Sequence, residues 1–382
     1  MQNKKSLKII FIVNDPLFAH QHLYYIMNYL TISNNHEVCL LTSNLFNKDY
    51  RISPKVDFVR IDITRKPNLL KDLKTIFQIV FFIKNKRPDI IFSFTPKAGF
   101  LSIIASLFFK KFFHIHTFTG QLWSNSNGIN SIFYRFLDSL IAKRSTLAMA
   151  DSESQALFLN EKLYFSNSIV GLKGGSLSGV DHKKFKRKKT EFHSLNSNQI
   201  GIKYLFLGRV NLDKGINDLI KIIPTHLSIF KKDKFSIVGP CEDNKFLHEL
   251  KKLKQKWPNN IFLNDFTNSP EDFLNDSDIL LLPSRREGFG NTIIEAAACG
   301  VPTISYDIYG IKNSIIKNIT GLLAKPFSIE EFSNLMKKCS KDKSLVNDLS
   351  IKAYSFSRKF NYKKRTKVFI DTILENTSLK DL

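Results

Sequence analysis

The feature that most constrains this chain is an alternation of short apolar runs with longer helix-periodic stretches, carried through the sequence twice. In the first half the runs are Lys8–Val13, Glu37–Thr42, Asp57–Ile61, Asp89–Phe94, Phe113–Phe118 and Thr146–Ala150. Helical patterns lie between them, over His20–Leu30, Leu70–Lys86, Ala98–Phe109, Asn130–Lys143 and Glu153–Leu163. Runs such as IIFIV and IIFSF are apolar at successive positions, as a strand covered on both faces requires. Strands and helices in this order build a doubly wound parallel sheet. From Asp181 to Gln199 the pattern breaks into a polar, basic tract, read as an exposed inter-domain linker rather than a nucleic-acid-binding run. The alternation then restarts, with strands at Tyr204–Leu207, Phe235–Val238, Ile261–Leu263, Asp278–Leu282 and Thr303–Ser305. The helices of this half are Ile216–Ile223, Asn244–Lys256, Pro270–Asn275, Asn291–Ala298 and Ile329–Cys339. The expectation is two Rossmann-like α/β domains facing across a cleft, residues 1–190 and 191–361. Ligands in such sheets bind beyond the carboxyl ends of the strands.

Composition narrows the partners. With 43% hydrophobic and 24% charged residues, the chain is neither disordered nor collagenous. Cys39, Cys241, Cys299 and Cys339 are far apart and form no CxxC pair, so neither a disulfide framework nor a zinc site is expected, and a reducing cytosol suits them. The net charge is +23, of which residues 1–195 carry +15. That favours an anionic partner: nucleic acid, an acidic lipid surface or a phosphorylated substrate. The lysines are scattered rather than clustered, which sets nucleic acid aside and also fits an ordinary solvated surface. Leu7–Val13 is interrupted by Lys8 and ends in Asn14-Asp15, so it reads as a first strand and not as a signal peptide. The longest apolar run, Ala98–Phe109, would reach ~18 Å as a helix against the ~30 Å of a bilayer core. It reads as a buried helix of the domain, or, with Lys110-Lys111 after it, as a helix lying on a membrane surface.

Two constellations carry chemistry. In YLFLGRVNLDKG a strand ends at Gly208 and delivers Arg209 and Lys214 before Gly215 and a helix. Two cations and free helix N–H groups placed so suit a diphosphate, although solvated charges at a glycine turn would look the same. In SRREGFGNTIIEAAACGVP a strand stops at Pro283-Ser284, and a glycine-rich loop enters a helix near Asn291. Gly288, Phe289 and Gly290 put backbone amides at the positive end of that helix. Glu287 in the loop and Glu295 in the helix can accept hydrogen bonds from sugar hydroxyls. A carboxylate in the small, apolar IIEAAAC helix is costly without a partner.

Gly208-Arg209 with Lys214-Gly215, followed by Glu287-Gly288-Phe289-Gly290 and Glu295, resembles the retaining glycosyltransferases of family 4, with the GT-B fold. The resemblance also covers Ser178-Gly179-Val180-Asp181, where many members carry Asn-Gly-Val-Asp, and Tyr306–Gly310 with Thr320–Leu323 at the close of the donor site. Segments like FTPKAG (Phe94–Gly99) and HTFTG (His116–Gly120) occur in members that build bacterial surface polysaccharides on a polyprenyl-diphosphate carrier. One departure stands out. Many members have a Gly-Gly pair after the first strand, whereas here that loop is Asn14–His20 without a glycine, which leaves His20 as a candidate phosphate contact.

The resemblance implies a nucleotide-sugar donor, a UDP-sugar by preference, bound chiefly to the C-terminal domain. Arg209 and Lys214 would hold the diphosphate, and Glu295 would accept from the ribose. Glu287 would lie near the transferred sugar, with Phe289, Gly290 and Asn291 offering backbone groups. His116 would stand close to that sugar, in an N-terminal domain holding a lipid-linked acceptor. No metal or other cofactor is implied. In the fold resembled, a helix such as Tyr362–Glu375, within residues 362–382, crosses back onto the first domain. The expected partners are the donor, a polyprenyl-diphosphate-linked saccharide and an anionic membrane surface at the cytoplasmic face, with no nucleic acid. The alternative is a nucleotide-sugar 2-epimerase of the same architecture, which turns over donor without acceptor.

Overall fold

The computed structural model describes residues 6–43, 55–64, 68–109, 112–125, 128–188, 201–379 and 382. They form two compact units, Met1–Gly179 with Tyr362–Leu382, and Val180–Asn361.

The strands of the first unit are β1 (Lys8–Ile12), β2 (Glu37–Thr42), β3 (Val56–Arg60), β4 (Ile90–Ser93), β5 (Phe113–Phe118), β6 (Leu147–Ala150) and β7 (Val170–Gly171). All their pairings are parallel, in the order β3-β2-β1-β4-β5-β6-β7. The helices are α1 (Pro16–Phe18) and α2 (Tyr24–Asn28), joined and followed by π-helical turns at Ala19–Leu23 and Tyr29–Ser33, then α3 (Leu69–Lys86), α4 (Pro96–Ser106), α5 (Ile129–Arg144) and α6 (Glu153–Lys162). Strand periodicity explains the all-apolar runs. Ile9 and Phe11 of β1 point to a core shared with Met27, while Ile10 and Ile12 point to another holding Ile79 and Ile83 of α3; successive side chains take opposite faces. The longest apolar run becomes α4, whose Ala98, Leu101, Ile103 and Ala105 are buried.

The second unit has β8 (Lys203–Leu207), β9 (Lys234–Val238), β10 (Ile261–Asn264), β11 (Ile279–Leu282), β12 (Thr303–Tyr306) and β13 (Gly321–Ala324). They too are parallel, ordered β10-β9-β8-β11-β12-β13. Its helices are α7 (Ile216–Ile229), α8 (Asn244–Lys256), α9 (Pro270–Asn275), α10 (Asn291–Ala298), α11 (Ile329–Lys341) and α12 (Lys343–Ser357). The last helix, α13 (Tyr362–Asn376), packs into the first unit, where Phe369, Ile370 and Ile373 join the core of β1 and β4.

The strand order reverses between β8 and β11 in the second unit, and between β1 and β4 in the first. Chain leaving the carboxyl ends of such a pair opens a crevice. Gly208–Lys214 and Pro283–Glu287 are the segments that leave β8 and β11.

Two boundaries differ from the sequence-based expectation. The units divide at Gly179 and not at residue 190, because the start of the basic tract is anchored to the second unit. Val180 bridges Asn361, Phe185 is buried against Leu207 and Phe289, and the Lys188 amide donates to Asn275 Oδ1 at 2.8 Å. The rest of the expected linker, and Lys110-Lys111, lie outside the described residues. α7 also runs on through Pro224 to Ile229. A proline removes one backbone donor, yet His226 and Leu227 beyond it are buried on the same face as Leu219 and Ile223.

Candidate active site

Glycines let the two loops of the second unit approach. Gly215 has φ +75°, and a Cβ there would lie 1.9 Å from the Pro283 carbonyl oxygen, so only a residue without a side chain fits. The turn after β8 is thereby laid against the end of β11. A third segment joins them, since a Cβ on Gly310 would lie 2.1 Å from the carbonyl oxygen of Glu287.

On this frame Lys214 Nζ sits 2.6 Å from Glu287 Oε1, with both side chains largely shielded. Arg209 Nη1 pairs with Glu242 Oε1 at 2.7 Å, and Asn211 Nδ2 donates to the other oxygen of that carboxylate at 2.6 Å. Asn211 Oδ1 then accepts from the Lys214 amide at 3.0 Å. One network thus fixes both cations, and Glu242 and Asn211 are members that no motif singled out. Beneath it Arg286 binds Asp213 at 2.5 Å, and Arg285 bonds both oxygens of Asp218 at 3.0 and 3.1 Å. The buried Asp218 also accepts from Tyr306 Oη at 2.9 Å, tying α7 to the loop after β11 and to β12.

Helices α7 and α10 both begin at a left-handed glycine, Gly215 and Gly290, and neither has a side-chain cap. First-turn amides without a capping acceptor are a site for an anion. Gly288, Phe289 and Gly290 are buried, and Asn291 is half-buried. The Phe289 ring packs in the apolar core, 5.3 Å from the Phe360 centroid, which leaves only its backbone for a ligand. Glu295 is half-buried and makes no ion pair or side-chain hydrogen bond among the described residues. Burial pushes its carboxyl up to about 7, with Lys184 opposing the shift and Glu271 adding to it.

In the first unit His116 lies on β5 and is fully buried. Strand alternation turns it inward, where Gly99 leaves room: a Cβ on Gly99 would lie 2.5 Å from the imidazole. Its Nδ1 lies 2.8 Å from Ser93 Oγ, which also meets His114 Nε2 at 2.9 Å, while His116 Nε2 has no partner. Burial and the neighbouring His114 hold the His116 ring well below the usual histidine range, which favours its neutral form. In the glycine-free loop the Asp15 carboxylate accepts from the Leu17 amide at 2.9 Å. Lys97 of FTPKAG is likewise engaged, pairing with Asp72 at 2.6 Å.

Comparison with known families gives this arrangement its class. Residues 187–356 match the model of the glycosyl transferases group 1, and residues 8–150 match glycosyl transferase 4-like. The chain belongs with them: it is a glycosyltransferase of the GT-B fold. Among its relatives is the capsular polysaccharide biosynthesis glycosyltransferase CapM of Staphylococcus aureus, 27% identical over 290 residues, or 75% of this chain and 76% of that protein. Another is the Escherichia coli UDP-Gal:alpha-D-GlcNAc-diphosphoundecaprenol alpha-1,3-galactosyltransferase, 26% identical over 297 residues and 74% of each chain. In fold the chain is similar to Anabaena HepE, solved in complex with UDP, at a TM-score of 0.74 and 16% identity, over 97% of this chain and 100% of that one.

Proposed function

We propose that this glycosyltransferase moves a hexosyl or N-acetylhexosaminyl group from a UDP-sugar to a lipid-linked saccharide, with retention and without a metal ion, in the assembly of capsule or O-antigen. The observation that carries the reading is the Lys214–Glu287 pair, set where Arg209 and the amino-terminal ends of α7 and α10 supply positive potential. Arg209, Lys214 and the helix amides receive the diphosphate, and Glu295 accepts from the ribose. As the bond from the anomeric carbon to the phosphate oxygen breaks, fixed cations stabilise the leaving diphosphate. The acceptor hydroxyl attacks from the same face and loses its proton to that leaving phosphate oxygen. Glu287 holds the transferred sugar and orients Lys214. The lipid-linked acceptor is supported by the diphosphoundecaprenol substrate named for the E. coli relative. The UDP donor is supported by that same name and by the UDP complex of the fold neighbour.

The test is a thermal-shift screen of UDP, GDP and ADP and their sugars, followed by transfer to a synthetic GlcNAc-diphosphoryl lipid with the new anomeric centre read by NMR. Stabilisation by UDP and an α-linked product from an α-linked donor are expected. An inverted product sinks the retaining mechanism. Conversion of the UDP-sugar to its 2-epimer without acceptor replaces transfer by epimerisation.

A further inference from the structure

Helices α3, α4 and α5 pack side by side on one face of the first sheet, and the outer two are apolar on the side that faces solvent. On α3 the inward residues are Thr75, Ile79 and Ile83. Opposite them run Leu70, Leu73, Phe77 and Phe81, with Leu70 80% and Phe77 71% exposed. α5 repeats the pattern: Asp138, Ile141 and Ala142 face inward, whereas Ile129, Ile132, Phe133 and Phe136 face out, with Ile129 82% exposed. At the end of α4, Leu107 and Phe108 add to the same layer, 63% and 66% exposed. Single exposed apolar residues need no explanation, but a stripe at helical spacing on each of two neighbouring helices does.

Charge identifies the occupant. Both stripes end in cations: Lys84, Lys86 and Arg87 at the end of α3, and Lys143 and Arg144 at the end of α5, all exposed. The three helices hold two carboxylates. Asp138 is buried, and Asp72 is paired with Lys97. A face that is apolar along its length and cationic at the carboxyl ends of α3 and α5, with no exposed unpaired carboxylate on its three helices, offers a second copy of itself no opposite charge to meet. It matches an acidic lipid surface, into whose interface the Leu, Ile and Phe side chains can sink while lysines meet headgroups.

We propose that the outer faces of α3 and α5 dock this enzyme on an anionic lipid bilayer, with α4 serving as their buried support. The apolar run Ala98–Phe109, which the sequence marks as the membrane candidate, is thus the helix behind the docking face. The inference deepens the lipid-linked acceptor reading by naming the surface that meets the lipid.

Vesicle flotation of the full chain, without donor or acceptor, tests it. Binding is expected to phosphatidylcholine vesicles containing phosphatidylglycerol, to weaken in high salt, and to be about tenfold poorer for pure phosphatidylcholine. Replacing both stripes (Phe77→Ser, Phe81→Ser, Ile132→Ser, Phe133→Ser) is expected to lower binding by at least about tenfold, with melting temperature and transfer to a short-chain soluble acceptor unchanged. If the fourfold variant does not fold, each pair alone is expected to show part of the loss. Wild-type protein that ignores acidic vesicles at low salt overturns the proposal. So do variants that bind them normally, or that only turn a dimer into a monomer. Vesicle binding without glycosyl transfer sinks the acceptor reading and leaves the docking face standing; transfer without vesicle binding does the reverse.

Discussion

Lys214 and Glu287 come from loops 73 residues apart in sequence and form one unit of charge. Removing either leaves the other largely shielded and without this partner. Lys214→Ala is expected to lower kcat by about 10²–10³-fold, the range seen when one stabilising donor is lost. Glu287→Gln should cost a comparable factor, and the double variant should lose less than the product of the two, because residues that act together are not additive. Steady-state kinetics on the four proteins read this directly. Glu295 makes a different prediction. Its folded carboxyl titrates near 7 against an ordinary 4.5, so the folded state favours the protonated form. Its contribution to stability is therefore present below the ordinary range and is lost as pH rises from 4.5 through about 7. Glu295→Gln should raise the melting temperature of the ligand-free chain at pH 8 relative to wild type, by the equivalent of about 1 kcal/mol or more, with little gain at pH 4. The same variant should bind UDP more weakly.

At the scale of elements, the site depends on how closely three loop segments can be brought together. Gly215→Ala places a methyl against the Pro283 carbonyl and strains a left-handed residue; a loss of at least about 2 kcal/mol in urea unfolding is expected. Asp218→Ala removes the buried acceptor shared by the partly exposed Arg285 and by Tyr306, and leaving those donors unpaired is expected to cost about 1–3 kcal/mol. Local patterns made much of this architecture legible. Asn244–Lys256, Pro270–Asn275 and Asn291–Ala298 are helices with the expected ends, because caps, prolines and glycines mark them locally. β7 has two residues, and β13 is four residues opening on a glycine, too short for a periodicity to register. α12 follows α11 with Asp342 alone between them, so no turn signal separates them. Of the charged network, Arg209, Lys214 and Glu287 were legible as candidates because glycines bracket them, and Glu295 stood out separately as a carboxylate in an apolar helix; their roles toward a donor belong to the proposal. Glu242, Asn211 and Asp218 were not legible, since their roles arise only when separate strands are laid side by side. The surroundings of His116 were equally hidden: that Gly99 makes room for its ring emerges only when α4 is laid against β5.

For the molecule as a whole, the residues given to the donor under the proposed function, Arg209, Lys214, Glu287 and Glu295, all lie within Val180–Asn361. Hydrogen exchange with and without UDP is expected to show new protection at residues 208–216 and 287–293, and none on α3 or α5. Protection spread evenly over both units would argue against a donor site carried by one of them.

The route of the chain has a consequence for how it is made. The second unit is a continuous segment whose ends, Val180 and Asn361, are paired in a parallel bridge, so it can close as soon as residue 361 is free of the ribosome. The first unit begins earlier and finishes later, because Phe369 and Ile373, both fully buried, belong to its core. Until α13 emerges, that half carries an open apolar trench beside β1 and β4, at the stage when a nascent protein is most open to capture by a chaperone.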